Sequence, residues 1–378
     1  MRVVWRMALS TLMVLLLAEV LARVVLWRSP NLNQPREPEF GYSVTGYGDL
    51  VPNLNRVERL YNIRPYFLQT NSAGLRNTDE IRDGVVRILA IGDSFTYGMY
   101  VHNQETFPAR LEEVLNQRLE NRVQVLNAGV PGYTIADELS YLLDKGLALE
   151  PDVVVLGVYT NDIFDFYPPV REVLARPVLL ASASGLEIPE EQDSFLRENL
   201  ALYNALLQLR GQYGQARIEQ QINRVTPTIE GLHRVYQDLT FLRPQDFPDE
   251  WAAYERNLRE MIALLQERQI PLVIVAFPDV AQLPVEGGLP DVPQQMLARI
   301  ADETGTPFVD LLPVFRELGD IQTLYLLYYN RDAQIDPNAP DAAVLAYSGD
   351  GHPTPYAYLE TGRLVANLLL EYALLPDM

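Results

Sequence analysis

The run Val85-Val-Arg-Ile-Leu-Ala-Ile-Gly-Asp-Ser-Phe-Thr-Tyr-Gly98 constrains the fold more than any other stretch of the chain. β-Branched and apolar residues end abruptly in a glycine, an acid, two hydroxyl residues and a second glycine, the pattern of a buried strand emptying into a turn. Arg87 interrupts the run, Ile88 to Ile91 keep its apolar character, and Gly92 lets the backbone turn where a side chain would obstruct it. Ser94 thus falls at the carboxyl end of a strand, where a helix can begin and where open α/β sheets bind their ligands. Taken alone, Ser94 or Thr96 reads first as a helix N-cap.

The rest of the chain repeats this unit. Apolar strand patterns at 85–91, 123–126, 153–158, 271–277 and 307–311 alternate with helical patterns at about 107–119, 136–148, 251–269, 293–304 and 355–372. Five short apolar strands alternating with helices predict an α/β fold whose parallel sheet is covered on both faces. The right-handed crossover rule makes that sheet doubly wound and flavodoxin-like. Residues 163–247 break the rhythm with Pro-rich and polar helical sequence. They are expected to form a helical insertion beside the carboxyl edge of the sheet, placed to act as a lid or to shape a substrate site.

The amino terminus is different in kind. Residues 7–27 are almost continuously apolar, follow Arg2 and Arg6, and are broken by Ser10, Thr11, Glu19 and Arg23. They predict an N-terminal transmembrane helix with the remainder outside the cytoplasm; a signal peptide with its apolar core at 8–18 is the competing reading. Glu19 and Arg23, four apart, can pair on one helical face. The expected organisation is therefore a membrane anchor or signal peptide at 1–28, a Pro-, Asn- and Gly-rich linker or lead-in at 29–70, and the α/β domain at 71–378.

Composition removes several functions. A formal charge of -20 argues against nucleic acid as a partner, since that requires clustered Lys and Arg. With no cysteine, a disulfide framework, a thiolate zinc site and a cysteine nucleophile are excluded. Only His102, His233 and His352 could supply an imidazole, and a three-histidine zinc site would use all of them. His102 and His233 read as surface residues. The acidic residues Asp332, Asp336 and Asp341 do not follow the spacing of a calcium loop.

Three further stretches supply partners for Ser94. Asn127-Ala-Gly-Val-Pro-Gly-Tyr-Thr134 ends a strand and can turn a backbone N–H into a cleft. Gly157-Val-Tyr-Thr-Asn-Asp162 lies just past another strand; Asn161 can aim its amide at an oxyanion or close an Asx turn. Ser348-Gly-Asp-Gly-His-Pro-Thr354 precedes the last helix, with Asp350 two residues from His352, where a carboxylate can fix the imidazole tautomer. Tyr97, Tyr133 and Tyr159 beside these stretches fit either an acyl or sugar pocket or core packing.

GDSFTYG, NAGVPGYT, YTND and DGHP, in this order, resemble the four blocks of the SGNH (GDSL-type) hydrolase family, here a membrane-anchored, bacterial-type member. The resemblance spans about 71–372 and implies a five-stranded SGNH hydrolase fold. It implies Ser94 as nucleophile, His352 as general base and Asp350 as its orienting acid. The oxyanion hole would comprise the N–H groups of Ser94 and Gly132, with Gly129 as a substitute, and the Asn161 amide. The family's acid more often lies three residues before the histidine, whereas Asp350 lies two before His352. The implied activity is hydrolysis of O-acyl or O-acetyl esters of a small molecule or glycan through an acyl-enzyme, with no metal or organic cofactor. The alternatives are an O-acyltransferase acting on an extracellular glycan and a glycan-binding protein with a vestigial site.

Overall fold

A computed structural model describes residues 2–28, 40–42, 48–58, 66–120, 122–164, 234–319, 321–326 and 351–376. The chain divides into two units, Met1–Glu39 with Pro169–Gly231 and Phe40–Pro168 with Leu232–Met378.

In the first unit Arg2–Arg28 form one helix, α1. Met13 to Leu17, Val20 and Leu21 are exposed, and Arg23 pairs with Glu19 one turn away at 2.8 Å, as their spacing predicts. Among the described residues no helix is long and apolar enough to cross a membrane. The expected transmembrane helix is therefore not supported; the charges of Glu19 and Arg23 fall inside the apolar stretch.

The second unit opens with two small antiparallel pairs. β1 (Phe40–Tyr42) pairs with β2 (Gly48–Leu50), and β3 (Asn55–Glu58) with β4 (Tyr66–Gln69). The lead-in is thus not linker throughout: Leu50, Leu54, Tyr66 and Leu68 are buried in the core of the domain. Strands of three or four residues are too short for their alternation to stand out against a Pro- and Asn-rich background.

The main sheet follows. β5 (Val86–Gly92), β6 (Val123–Gly129), β7 (Val153–Val158), β8 (Leu272–Ala276) and β9 (Phe308–Asp310) are all parallel, in the order β6-β5-β7-β8-β9. This is the doubly wound, flavodoxin-like order expected from the alternation of strand and helix. Successive residues serve opposite faces. Leu89, Ile91, Leu126, Leu156 and Ile274 join one core cluster, and Ile88, Ala90, Val125, Val155 and Val273 the other. Both faces need cover, which is why the strands read as continuous apolar runs.

Helices supply that cover. α2 (Ser94–Tyr97) follows β5, and α3 (Phe107–Leu119) begins where Thr106 accepts the Ala109 N–H, with Pro108 in its first turn. α4 is shorter than the expected 136–148 helix. It spans Ile135–Tyr141 and widens into a π turn at Leu142–Gly146, where Gly146 lies against Leu89 with little room for a side chain. α5 (Asn161–Phe164) follows β7 and leads into the expected insertion, of which 165–233 lie outside the described residues. α6 (Pro248–Glu267), α7 (Val292–Thr304) and α8 (Leu311–Leu318) alternate with β8 and β9. Leu258, Met261, Leu297 and Ile300 face the cluster that also holds Leu139 of α4, whereas Leu111, Leu115 and Phe315 face the other. The short pair β10 (Tyr325–Leu326) and β11 (His352–Pro353) delivers the chain to the last helix, α9 (Pro355–Glu371).

Candidate active site

Three strands end abreast in glycine. Gly92 of β5 lies in register with Gly129 of β6 and Gly157 of β7. A Cβ on Gly92 or Gly157 would collide with Thr96 Oγ1, and one on Gly129 with the Tyr97 backbone nitrogen. Only hydrogen at all three positions lets α2 settle onto the carboxyl end of the sheet. Asp93, rather than Ser94 or Thr96, caps that turn: its Oδ1 accepts the Phe95 N–H at 2.8 Å. Capping by the neighbour leaves the Ser94 hydroxyl available for chemistry.

His352 arrives from the other end of the chain. Its backbone is held opposite Leu326 by the β10–β11 pair, and the next turn is fixed by Thr354, which donates its N–H to Leu324 O and caps α9. The imidazole Nε2 lies 2.8 Å from Ser94 Oγ. Phe95 flanks the ring at 4.9 Å and Tyr100 meets it edge-on at 5.4 Å. Tyr100 has φ +64°, a left-handed conformation that is costly for a bulky side chain and is typically imposed at functional sites. His352 is 3% exposed, and this burial pushes its pKa down to about 3. Near neutral pH the ring is uncharged and has a lone pair with which to take a proton.

The expected oxyanion donors follow β6 and β7, the two strands that flank β5. Val130-Pro131-Gly132-Tyr133 form a tight turn closed by Tyr133 N–H to Val130 O at 3.1 Å, with Gly132 at φ +82°. Proline second and a positive-φ glycine third suit a type II turn, which explains the Pro-Gly pair. Gly132 is exposed, whereas Gly129 commits its N–H to Asn127 Oδ1 at 3.0 Å. That bond removes Gly129 as a substitute donor. Asn161 opens α5, and its side chain favours the charged form of the Asp93 carboxyl. Asp93 is raised to about 6, first by burial, against the lowering effect of Phe95 N–H, Asn161 and Ser94.

Asp350 lies outside the described residues, as do His233, Asp332, Asp336 and Asp341. His102 has a structural task, its Nδ1 accepting the Phe67 N–H at 3.0 Å. Tyr97, Tyr133 and Tyr159 are buried among the core residues. Tyr159 stacks on Phe95 at 3.8 Å and donates to Asp279 at 2.9 Å. Among the described residues no group of three or more His, Asp or Glu is placed to hold a metal ion. A polar cavity of about 560 Å³ lies apart from this constellation, against Arg76, Asn103, Glu112, Gln124 and Asn127. Sequence reasoning missed Asp93, Phe95 and Tyr100. Asp93 was detectable from its place between Gly92 and Ser94; nothing in the spacing marks the two aromatic residues.

A serine hydroxyl held against a buried, neutral imidazole at the carboxyl edge of a parallel sheet is the arrangement of a serine-nucleophile hydrolase. Residues 90–358 match the GDSL-like lipase/acylhydrolase family. The chain belongs to that family and is a hydrolase acting on ester bonds. No curated protein matches it. Among solved structures it is similar to a lipolytic protein of the G-D-S-L family from Desulfitobacterium hafniense, at 14% identity and TM-score 0.39, covering 75% of this chain and 99% of that one. It is also similar to an acetylxylan esterase from Geobacillus stearothermophilus, at 18% identity and TM-score 0.38, covering 77% and 95%. An α/β hydrolase enzyme from the metagenome of Lake Arreo gives 15% identity and TM-score 0.40, covering 79% and 100%.

Proposed function

We propose that this protein is a serine esterase that cleaves O-acyl esters, O-acetyl groups in particular, with Ser94 as nucleophile, His352 as general base and Asp350 as the acid behind it. The 2.8 Å contact between His352 Nε2 and Ser94 Oγ carries the reading. In the first half-reaction Ser94 Oγ bonds to the ester carbonyl carbon while its proton passes to His352 Nε2. The N–H groups of Ser94 and Gly132 and the Asn161 amide receive the oxyanion. Collapse breaks the bond to the alcohol oxygen, which takes the proton from Nε2. Water, deprotonated by the same nitrogen, then attacks the acyl-enzyme and releases the carboxylic acid and free Ser94.

Fluorophosphonate labelling of the full chain tests this assignment. Ser94→Ala and His352→Ala are expected to abolish labelling, and folded wild-type protein that does not label would sink the reading. Adding a glycan acceptor to an acyl-ester assay decides whether water or a sugar hydroxyl resolves the acyl-enzyme; transfer in excess of hydrolysis would make the protein an O-acyltransferase. We also propose that α1 attaches the protein to a membrane, with the hydrolase domain outside the cytoplasm. The exposed apolar residues Met13 to Leu17 support the attachment.

A further inference from the structure

The ribbon of β3 and β4 turns a mixed aromatic and polar face to solvent. Alternation along β4 sends Tyr66 and Leu68 into the core and Phe67 outward. Register sets Phe67 opposite Val57 and Gln69 opposite Asn55, so these four share the outer face. Phe67 is 52% exposed and Val57 48%. Beside them Gln69 Nε2 donates to Asn55 Oδ1 at 3.3 Å.

A lone exposed aromatic residue is ordinary; this one is held in place. His102 packs against the Phe67 ring at 5.4 Å, 32° from parallel, and accepts the Phe67 N–H on Nδ1 at 3.0 Å. The His102 N–H goes in turn to Glu105 Oε2 at 3.0 Å. Asn103 fixes the next residues of β4, accepting the Gln69 N–H at 3.1 Å and donating to its carbonyl at 2.7 Å. An imidazole that accepts on Nδ1 carries its proton on Nε2, so the other side of the His102 ring presents an oriented N–H donor. The same segment reaches the catalytic centre. Tyr66, next to Phe67, meets Tyr100 edge-on at 6.2 Å, and Tyr100 meets the His352 ring edge-on at 5.4 Å.

We propose that this outer face is a glycan subsite, in which Phe67 stacks on a sugar ring of the ester substrate while the His102 Nε2–H and the Gln69 and Asn55 amides bond its hydroxyl groups. The inference rests on the esterase reading and names the alcohol half of the ester as a carbohydrate. The chemistry of the face selects the sugar. A pyranose offers a flat patch of C–H groups rimmed by hydroxyls, which matches an aromatic ring set among donors and acceptors that are already oriented. An acyl chain calls for a concave, mostly apolar groove, and this face is open and half polar. A lipid surface calls for a broader apolar patch than two side chains provide. Tyr66 and Tyr100 stand between Phe67 and the imidazole in this run of contacts. The sugar that Phe67 holds is therefore a neighbour, along the glycan, of the one that carries the scissile ester.

The test compares substrates on the full chain. O-Acetylated xylo-, cello- and manno-oligosaccharides are set against para-nitrophenyl acetate, which offers the same acetyl group without a sugar. In Phe67→Ala, kcat/KM on the oligosaccharides should fall roughly tenfold relative to kcat/KM on para-nitrophenyl acetate, and the loss should lie in KM. Phe67→Trp should restore the ratio, whereas Phe67→Leu, apolar but without a flat face, should not. Calorimetric titration of Ser94→Ala with the same oligosaccharides reads binding without turnover, and adding Phe67→Ala should weaken Kd by a similar factor. An unchanged ratio, or rescue by leucine, overturns the proposal. So does a loss that tracks the length of the acyl chain in para-nitrophenyl esters, or one confined to sedimentation with phosphatidylglycerol vesicles. Wild-type protein that fails to label with fluorophosphonate overturns the esterase reading instead. The subsite is then decided by titration of Ser94→Ala, where binding of none of the oligosaccharides would sink it.

Discussion

Ser94 and His352 are 258 positions apart in sequence and in hydrogen-bond contact in space. Their environments do opposite things. Ser94 is partly open at the head of a turn, and His352 is sealed between Phe95 and Tyr100. Sealing has a thermodynamic signature. An unfolded imidazole takes a proton near 6.5, whereas the native one refuses it until about 3. Between those values the unfolded state binds more protons, so His352 draws stability away as pH falls through that window and not above it. Asp93 has the opposite sign, because its native pKa is raised from 3.8 to about 6 and the native state binds more protons between them. His352→Gln should therefore narrow the gap in melting temperature between about pH 7 and about pH 4.5 relative to wild type. An unchanged gap would show that the buried ring is not the group responsible.

At the scale of elements, the ends of β5, β6 and β7 form a seat that accepts only glycine. Gly157→Ala places a methyl group against Thr96 Oγ1 and should lift α2 off the sheet. Overpacking of this kind costs about 1–3 kcal/mol, visible as a lower melting temperature, and it should slow fluorophosphonate labelling by displacing Ser94. A variant with wild-type melting and labelling would mean that the seat has slack. The strand and helix elements themselves were legible, because apolar runs of five to seven residues between amphipathic helices admit few alternatives. The glycines were legible one at a time. Their alignment was not, since register between parallel strands is a property of the sheet. The same holds for Asp279, which gathers Tyr159 at 2.9 Å and Tyr236 at 2.8 Å and so ties the chain beyond 233 to the strands. No spacing joins those three residues.

For the whole molecule, the chain combines a formal charge of -20 with the apolar helix α1. Membrane attachment through α1 predicts that the full chain sediments with membranes, resists washing with high salt, and is released by detergent. Release by salt alone would limit α1 to surface contact, and recovery in the soluble fraction would remove the attachment. The sequence by itself determined the sheet class, the strand order and the four stretches that carry the candidate site residues, because burial on both faces forces continuous apolar strands and turn chemistry forces Gly, Pro, Asn and Asp at their ends. Only the tertiary structure decided that Asp93 and not Ser94 caps α2, that Gly129 has no N–H to offer, and that Tyr100 and Phe95 enclose the imidazole. It also buried Glu138, an unremarkable acid in a helical pattern, with no hydrogen-bond partner for either carboxyl oxygen among the described residues. Each of these depends on what a group meets across the fold, and desolvation and hydrogen bonding act through space, where sequence separation has no bearing.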